Sequence, residues 1–198
     1  QDNQFESPKV DVCFKLFSPF ASKSPRTILM TNIYTSLLMD SLNAYSYPAQ
    51  EAGLKYSIKG NRTGLEIVIS GYSEKLPILL ATIVKNMKSL KIDPQRFETA
   101  VAKMKQSLNN HNLMESRSLT GYEFGYIMTQ DAWHINDLTK VIDTIHHRDV
   151  QAFIPTLLSR LSSHGLIYGN IIKAEAMEIV RFFEDALIEN TDLTSLDN

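Results

Sequence analysis

Two short segments in which every second residue is apolar, Leu54-Tyr56-Ile58 and Leu65-Ile67-Ile69, stand only a few positions apart, with Gly60 and Gly64 bracketing the join. A period of two places alternate side chains on one face of a strand, and so short a connection lets two strands pair only as an antiparallel hairpin. The chain must therefore contain a sheet. A third alternating stretch sets Val10, Val12, Phe14 and Leu16 against Asp11, Cys13 and Lys15, and predicts another half-buried strand that Ser18-Pro19 ends.

The remaining apolar residues follow helical spacing. Ser24-Pro25 predicts a helix start, with Ser as N-cap and Pro in the first position. Leu29, Ile33 and Leu37, beside Tyr34, Leu38 and Leu42, form its buried stripe, and the helix is expected to reach about Ser46, ahead of Pro48. A second helix, with Ser73 as N-cap and Pro77 in its first turn, buries Leu79, Leu80, Ile83, Val84 and Met87. In the next, Asp93 caps, Pro94 comes first and Ile92 is placed to pack on Phe97; Val101, Met104 and Leu108 continue that stripe. A weaker helix is predicted over 119–132, and one from about Asp149 to Leu161 carries Pro155 and should kink there. Leu166 to Tyr168 reads as a short strand, and a last helix over 173–188 buries Ile179, Val180, Phe183 and Leu187.

The order is β-α-β-β-α-α-α-α-β-α. With the extra helices set aside it contains β-α-β-β-α-β, an α+β fold with a mostly antiparallel sheet and helices packed on it. Residues 1–190 read as one domain and 191–198 as a polar, acidic tail or linker. The polar start at Gln1 has no basic and apolar leader pattern and reads as an internal point of a longer polypeptide.

Chemistry is sought first among the histidines, His111, His134, His146, His147 and His164. None forms H-x-x-E-H or H-E-x-x-H, the spacings that bring two imidazoles and a carboxylate to one helix face. His146 and His147 point about 100° apart on a helix and cannot easily share an ion, so both are expected to be solvated. Cys13 is the only cysteine, lies in a strand with no histidine near it in sequence, and cannot form an internal disulfide. A lone thiol points to a reducing, cytoplasmic setting. No G-x-S-x-G and no phosphate loop is present, and Gly60-Asn61-Arg62-Thr63-Gly64 is a hairpin connection that also contains a glycosylation triplet. Lys85, Lys88 and Lys91, with Lys103 and Lys105 on the following helix, read as solvated faces; Tyr45, Tyr47, Tyr56 and Tyr72 read as packing residues beside the hairpin. The net charge of −2 argues against nucleic acid as partner, and no apolar stretch is long enough to cross a bilayer. No catalytic, cofactor-binding or metal residue is assigned.

Several segments carry a resemblance. They are Ser7-Pro8-Lys9, Phe17-Ser18-Pro19-Phe20, DSLNAYSYPAQEAGLKYSI at 40–58, GYSEKLPILL at 71–80, KIDPQRFE at 91–98, SLNN at 107–110, FIPTLLSRL at 153–161 and LIYGNI at 166–171. In order and spacing they are similar to the third structural unit of the insulin-degrading enzyme, nardilysin and pitrilysin family of inverzincin zinc metallopeptidases. Ala44 stands where relatives commonly carry Glu, and Pro48 where a smaller residue is usual. The resemblance implies a non-catalytic domain of a zinc metalloendopeptidase that degrades short peptides in an enclosed chamber. Zinc and H-x-x-E-H belong to the first unit of such enzymes, on the helix after its first strand; the corresponding helix here has no histidine and no glutamate. The partners implied are the other domains of the same polypeptide, the parent's peptide substrates and a second copy. Two other readings remain: a stand-alone binding module, or an inactive paralogue serving as partner subunit.

Overall fold

A computed structural model describes residues 9–43, 53–72, 76–111 and 113–188. Its elements are β1 (Lys9–Phe17), α1 (Pro25–Ser41), β2 (Lys55–Asn61), β3 (Gly64–Tyr72), α2 (Leu76–Ser89), α3 (Pro94–His111), α4 (Ser116–Ile127), α5 (Ile135–Val141), a 3-10 turn (Ile142–Thr144), α6 (His147–Leu158), β4 (Ser162–Gly169) and α7 (Lys173–Ile188). The sheet order is β2-β3-β1-β4, and every neighbouring pair is antiparallel. β1 and β2 therefore run the same way with β3 between them, which is the split arrangement expected from the sequence. The α+β fold class stands.

Register explains the core. Val10, Val12, Phe14 and Leu16 of β1 share a face with Leu65, Ile67 and Ile69 of β3 and with Ile58 of β2, and all are buried. The helices cover this face. α1 fits under β2 because Gly60 has no side chain: a Cβ there would lie 2.6 Å from Asn32 Oδ1 and 3.2 Å from Thr35 Oγ1. Gly165 does the same on β4, opposite Phe14, where a Cβ would come within 2.9 Å of the Phe14 ring. That ring in turn stacks on Phe183 of α7.

The hairpin closes through Arg62 and Thr63. Asn61 Oδ1 accepts from the N–H groups of Thr63 and Gly64, both at 2.9 Å, and from Thr63 Oγ1 at 2.8 Å. Gly64 has φ +150°, and a Cβ there would meet the Leu16 carbonyl oxygen at 1.9 Å. Only glycine fits.

Local signals placed the helices well. Ser24 Oγ accepts from the Thr27 N–H at 3.2 Å and Thr27 Oγ1 from the Ser24 N–H at 2.9 Å, a reciprocal cap for α1. Asp93 Oδ1 caps α3 through the Arg96 N–H at 3.0 Å. The predicted stripe of α1 is buried throughout, and Tyr34, fully inaccessible, donates its hydroxyl to the Met87 carbonyl at 2.8 Å. Burial removes water that would solvate a phenolate and pushes this phenol far above the usual tyrosine range.

Four boundaries differ. α1 ends at Ser41 with Leu42 as C-cap, short of Ser46, which lies outside the described residues, as do Ser73, Tyr45 and Tyr47. α4 spans 116–127 rather than 119–132. α6 starts at His147 and stops at Leu158 rather than Leu161, with Pro155 inside it. β4 runs from Ser162, well before Leu166, because pairing to β1 extends an edge strand that the sequence does not mark with alternating apolar residues. The sequence reading also omits α5, whose N-cap is His134: its Nδ1 accepts from the Asn136 N–H at 3.2 Å.

Candidate functional site

Two surface features frame the candidate site among the described residues. The first is the outer face of the sheet. Register places Lys55, Ser70, Asp11 and Tyr168 in one row across it, Ser57, Val68, Cys13 and Leu166 in the next, and Lys59, Glu66, Lys15 and His164 in a third. A mostly apolar row thus runs between two rows that carry charge. Lys15 and Glu66 face each other as ladder partners with N and O 3.9 Å apart. Leu166 is 61% exposed and Tyr168 56% exposed, so the apolar end of the face opens at the β4 edge.

The second is a groove of about 530 Å³ between α1, the β2–β3 turn, α4 and α5. Asn32 and Ile28 form one wall; Tyr122 and Tyr126 form the other, with Trp133 among the lining residues. Gly121 and Gly125, one turn apart on α4, leave that wall open, since a Cβ at either would meet no atom within 4 Å. α4 buries no residue. Side chains tie it to the body: Tyr122 Oη accepts from the Ile135 N–H at 2.8 Å, and His134 Nε2 lies 3.1 Å from Glu123 Oε1. His134 uses Nδ1 as acceptor, so its proton sits on Nε2 and points at that carboxylate. Trp133 Nε1 donates to the Ser22 carbonyl at 2.8 Å, and Arg62 Nη1 to the Gln130 carbonyl at 2.6 Å. Burial raises the Tyr122 phenol, with the Ile135 N–H acting in the opposite direction. α4 exposes Phe124 and Ile127, and its C-cap Met128 is exposed beside them.

The histidines fall in separate places. His111 and His134 both stack edge-on against Tyr122, with centroids 4.2 and 5.6 Å from it. His146 caps α6 and is exposed, as expected, whereas His147 is half-buried with its ring 6.2 Å from Phe97. His164 packs edge-on against Phe17. Among the described residues no three His, Cys, Asp or Glu side chains group closely enough to hold a metal ion. The lysines divide: Lys88 donates to the Ala186 carbonyl at 2.6 Å and Lys105 pairs with Asp143, while Lys85, Lys91 and Lys103 are exposed. Tyr56 packs and donates to the Leu42 carbonyl at 3.0 Å, whereas Tyr72 is 43% exposed. The groove was not foreseen. Its lining comes from four elements, and only the Tyr122–Tyr126 spacing on one helix was visible in the sequence.

The family model described as the middle or third domain of peptidase M16 matches residues 1–141. The chain belongs to this M16 middle-domain family. Among curated proteins it is 39% identical over 190 residues to the insulin-degrading enzyme of Homo sapiens, covering 96% of this chain and 19% of that protein. It is 32% identical over 180 residues to mug138 of Schizosaccharomyces pombe, a protein named as a zinc protease, covering 91% and 19%. The crystal structure of pitrilysin shares the fold at a TM-score of 0.82 and 22% identity, covering 94% of this chain and 20% of that one. The M16 middle domain described here thus spans about a fifth of the length of the relatives it matches. None of its described helices is long and apolar enough to cross a membrane.

Proposed function

We propose that this chain is a non-catalytic domain of a cytoplasmic zinc metalloendopeptidase, and that it forms part of the wall of the chamber in which short peptides are cut. The observation that carries the reading is the content of α1. This helix follows the first strand, the place where the family's catalytic unit holds its metal motif, yet its 17 residues include no histidine and no glutamate. A zinc site needs imidazole, thiolate or carboxylate ligands converging on one point, and a metallopeptidase needs a general base beside them. α1 instead spends its length on packing, with eight buried residues, among them Tyr34, Thr31 and Thr35. In the parent, zinc held by another unit would polarise the scissile carbonyl and activate water.

The open sheet face is the surface suited to the chamber, because its apolar row with charged margins can take extended peptide of varied sequence. The exposed stripe of Phe124, Ile127 and Met128 is suited to contact with other domains of the same polypeptide or with a second copy. The test is direct. The purified chain should hold no stoichiometric zinc by elemental analysis and should leave fluorogenic peptides uncut. Zinc at one equivalent, lost when two histidines are replaced, would overturn the proposal, as would peptide hydrolysis by the chain alone.

A further inference from the structure

The groove between α1 and α4 has features that neither the wall role nor the core requires. It holds about 530 Å³, within the range of sites that enclose a small ligand or the end of a peptide. Its lining contains one charged side chain, Arg62. Arg62 joins no ion pair among the described residues; one nitrogen is held by the Gln130 carbonyl, and the rest of its N–H groups are unspent. The nearest carboxylate on the α4 wall, Glu123, is engaged by His134 and does not line the groove. Two further polar groups, the Asn32 amide and the Tyr126 hydroxyl, line the groove with no hydrogen-bond partner among the described residues. Around them the lining is mostly apolar or aromatic, with Ile28, Leu138, Tyr122 and Trp133; the polar Asn61 and Thr129 side chains are engaged in the turn and with the Gly125 carbonyl.

An uncompensated guanidinium beside neutral donors and an apolar trough fits an anion with an apolar body. Guanidinium binds carboxylate through paired N–H donors, and such charge-assisted bonds are about twice as strong as neutral ones. The helix backbone exposed at Gly121 and Gly125 lets a main chain approach α4 closely. We propose that this groove binds the free carboxyl terminus of a peptide whose last side chain is apolar, with the carboxylate on Arg62 and Asn32 and the side chain against Tyr122, Tyr126 and Trp133.

Trp133 is the only tryptophan of the chain, so its emission reports on the groove directly. The experiment titrates the full chain with acetyl-Ala-Ala-Leu as the free acid and as its C-terminal amide, which differ only in the terminal charge. The acid is expected to give a saturable change in emission, and the amide to bind about tenfold or more weakly. Arg62→Gln should weaken the acid to the level of the amide and leave the amide unchanged; Arg62→Lys should keep part of the preference. Gly125→Leu fills the open wall and should abolish the response to both peptides, with circular dichroism and the unfolding midpoint showing an intact fold. Equal binding of acid and amide would overturn the proposal. So would an unaltered preference in Arg62→Gln, full binding by Gly125→Leu, or no saturable change up to the millimolar range. None of these readouts involves zinc or peptide cleavage, so the proposal fails independently of the wall assignment.

Discussion

Phe14 of β1 and Phe183 of α7 stack ring on ring, with centroids 4.0 Å apart and planes 18° from parallel. The contact joins the second strand from one sheet edge to the last helix, and Gly165 on the neighbouring strand leaves the space the Phe14 ring occupies. Both phenylalanines are essentially inaccessible to solvent. The pair docks α7 to the sheet together with a hydrogen bond from Ser163 Oγ of β4 to Glu184 Oε1 of α7, at 2.9 Å.

Replacing Phe183 by Ala should cost about 3–5 kcal/mol, the usual range for removing a buried aromatic side chain and leaving a cavity. Phe183→Leu should cost clearly less, since it refills part of the space. Chemical denaturation of both variants checks this, and a Phe183→Ala midpoint equal to that of the parent chain would mean the stack contributes nothing.

The hairpin turn makes a sharper prediction. Gly64→Ala combines a backbone conformation that L residues avoid with a Cβ 1.9 Å from the Leu16 carbonyl oxygen. The clash is with backbone, so no rotamer relieves it, and a loss of at least about 1–3 kcal/mol follows from the strain. By contrast, Gly121→Ala on α4 meets open space and should be neutral or stabilising. Thermal melts of the two variants should move in opposite directions, or at least differ widely.

Tyr34 should make the fold sensitive to alkali. Its phenol is raised by burial, so the folded state keeps it neutral at pH values where an unfolded tyrosine ionises, near about 10. The stability it contributes is complete below that pH and is lost as the pH rises beyond it. Tyr34→Phe should cost roughly 1 kcal/mol near neutrality through loss of the bond to Met87. Its stability should also fall less steeply above pH about 10 than that of the parent chain. Parallel denaturant titrations from neutral to alkaline pH test both halves.

At the acid end Asp149 is the group to watch. The His146 N–H, at 2.8 Å, holds its carboxyl below the usual range, partial burial opposes this, and the Arg26 guanidinium at 2.7 Å adds to the lowering. A depressed folded pKa means that its stabilisation is present above the ordinary carboxylate value of about 4 and disappears as the pH drops through the folded value. Asp149→Asn should cost no more than about 1 kcal/mol at neutral pH, because both partners of the ion pair are 37% exposed and screened by solvent. The gap between variant and parent should close on acidification. A gap that widens would contradict the assignment.

The sheet and the main helices were readable because local and global signals agree there. Ser24, Asp93 and Pro25 mark helix starts with side chains that satisfy specific N–H groups, and the alternating residues of β1 and β3 are the ones that are buried. β4 was half missed because it is an edge strand: His164, Leu166 and Tyr168 are exposed, so burial leaves no imprint of period two. Gly165 was the available clue, since glycine inside a strand often marks a close approach. α5 escaped because a histidine caps it and it is only 7 residues long. Beyond the Tyr122–Tyr126 spacing the groove could not be read, since Asn32, Arg62, Tyr126 and Trp133 lie on separate segments and only tertiary structure joins them.

Because β4 hydrogen-bonds to β1, the first described strand finds one of its two neighbours only after the intervening residues 18–161 have been synthesised. Such distant pairing is slow and leaves a bare edge in the interval. It also warns against trimming. The residues matched by the family model stop at 141, so a recombinant piece cut there would lack β4 and α7, uncover Phe14 and present β1 to any passing strand. Aggregation of that piece, with solubility restored on extension past Gly169 and α7, is the expected outcome.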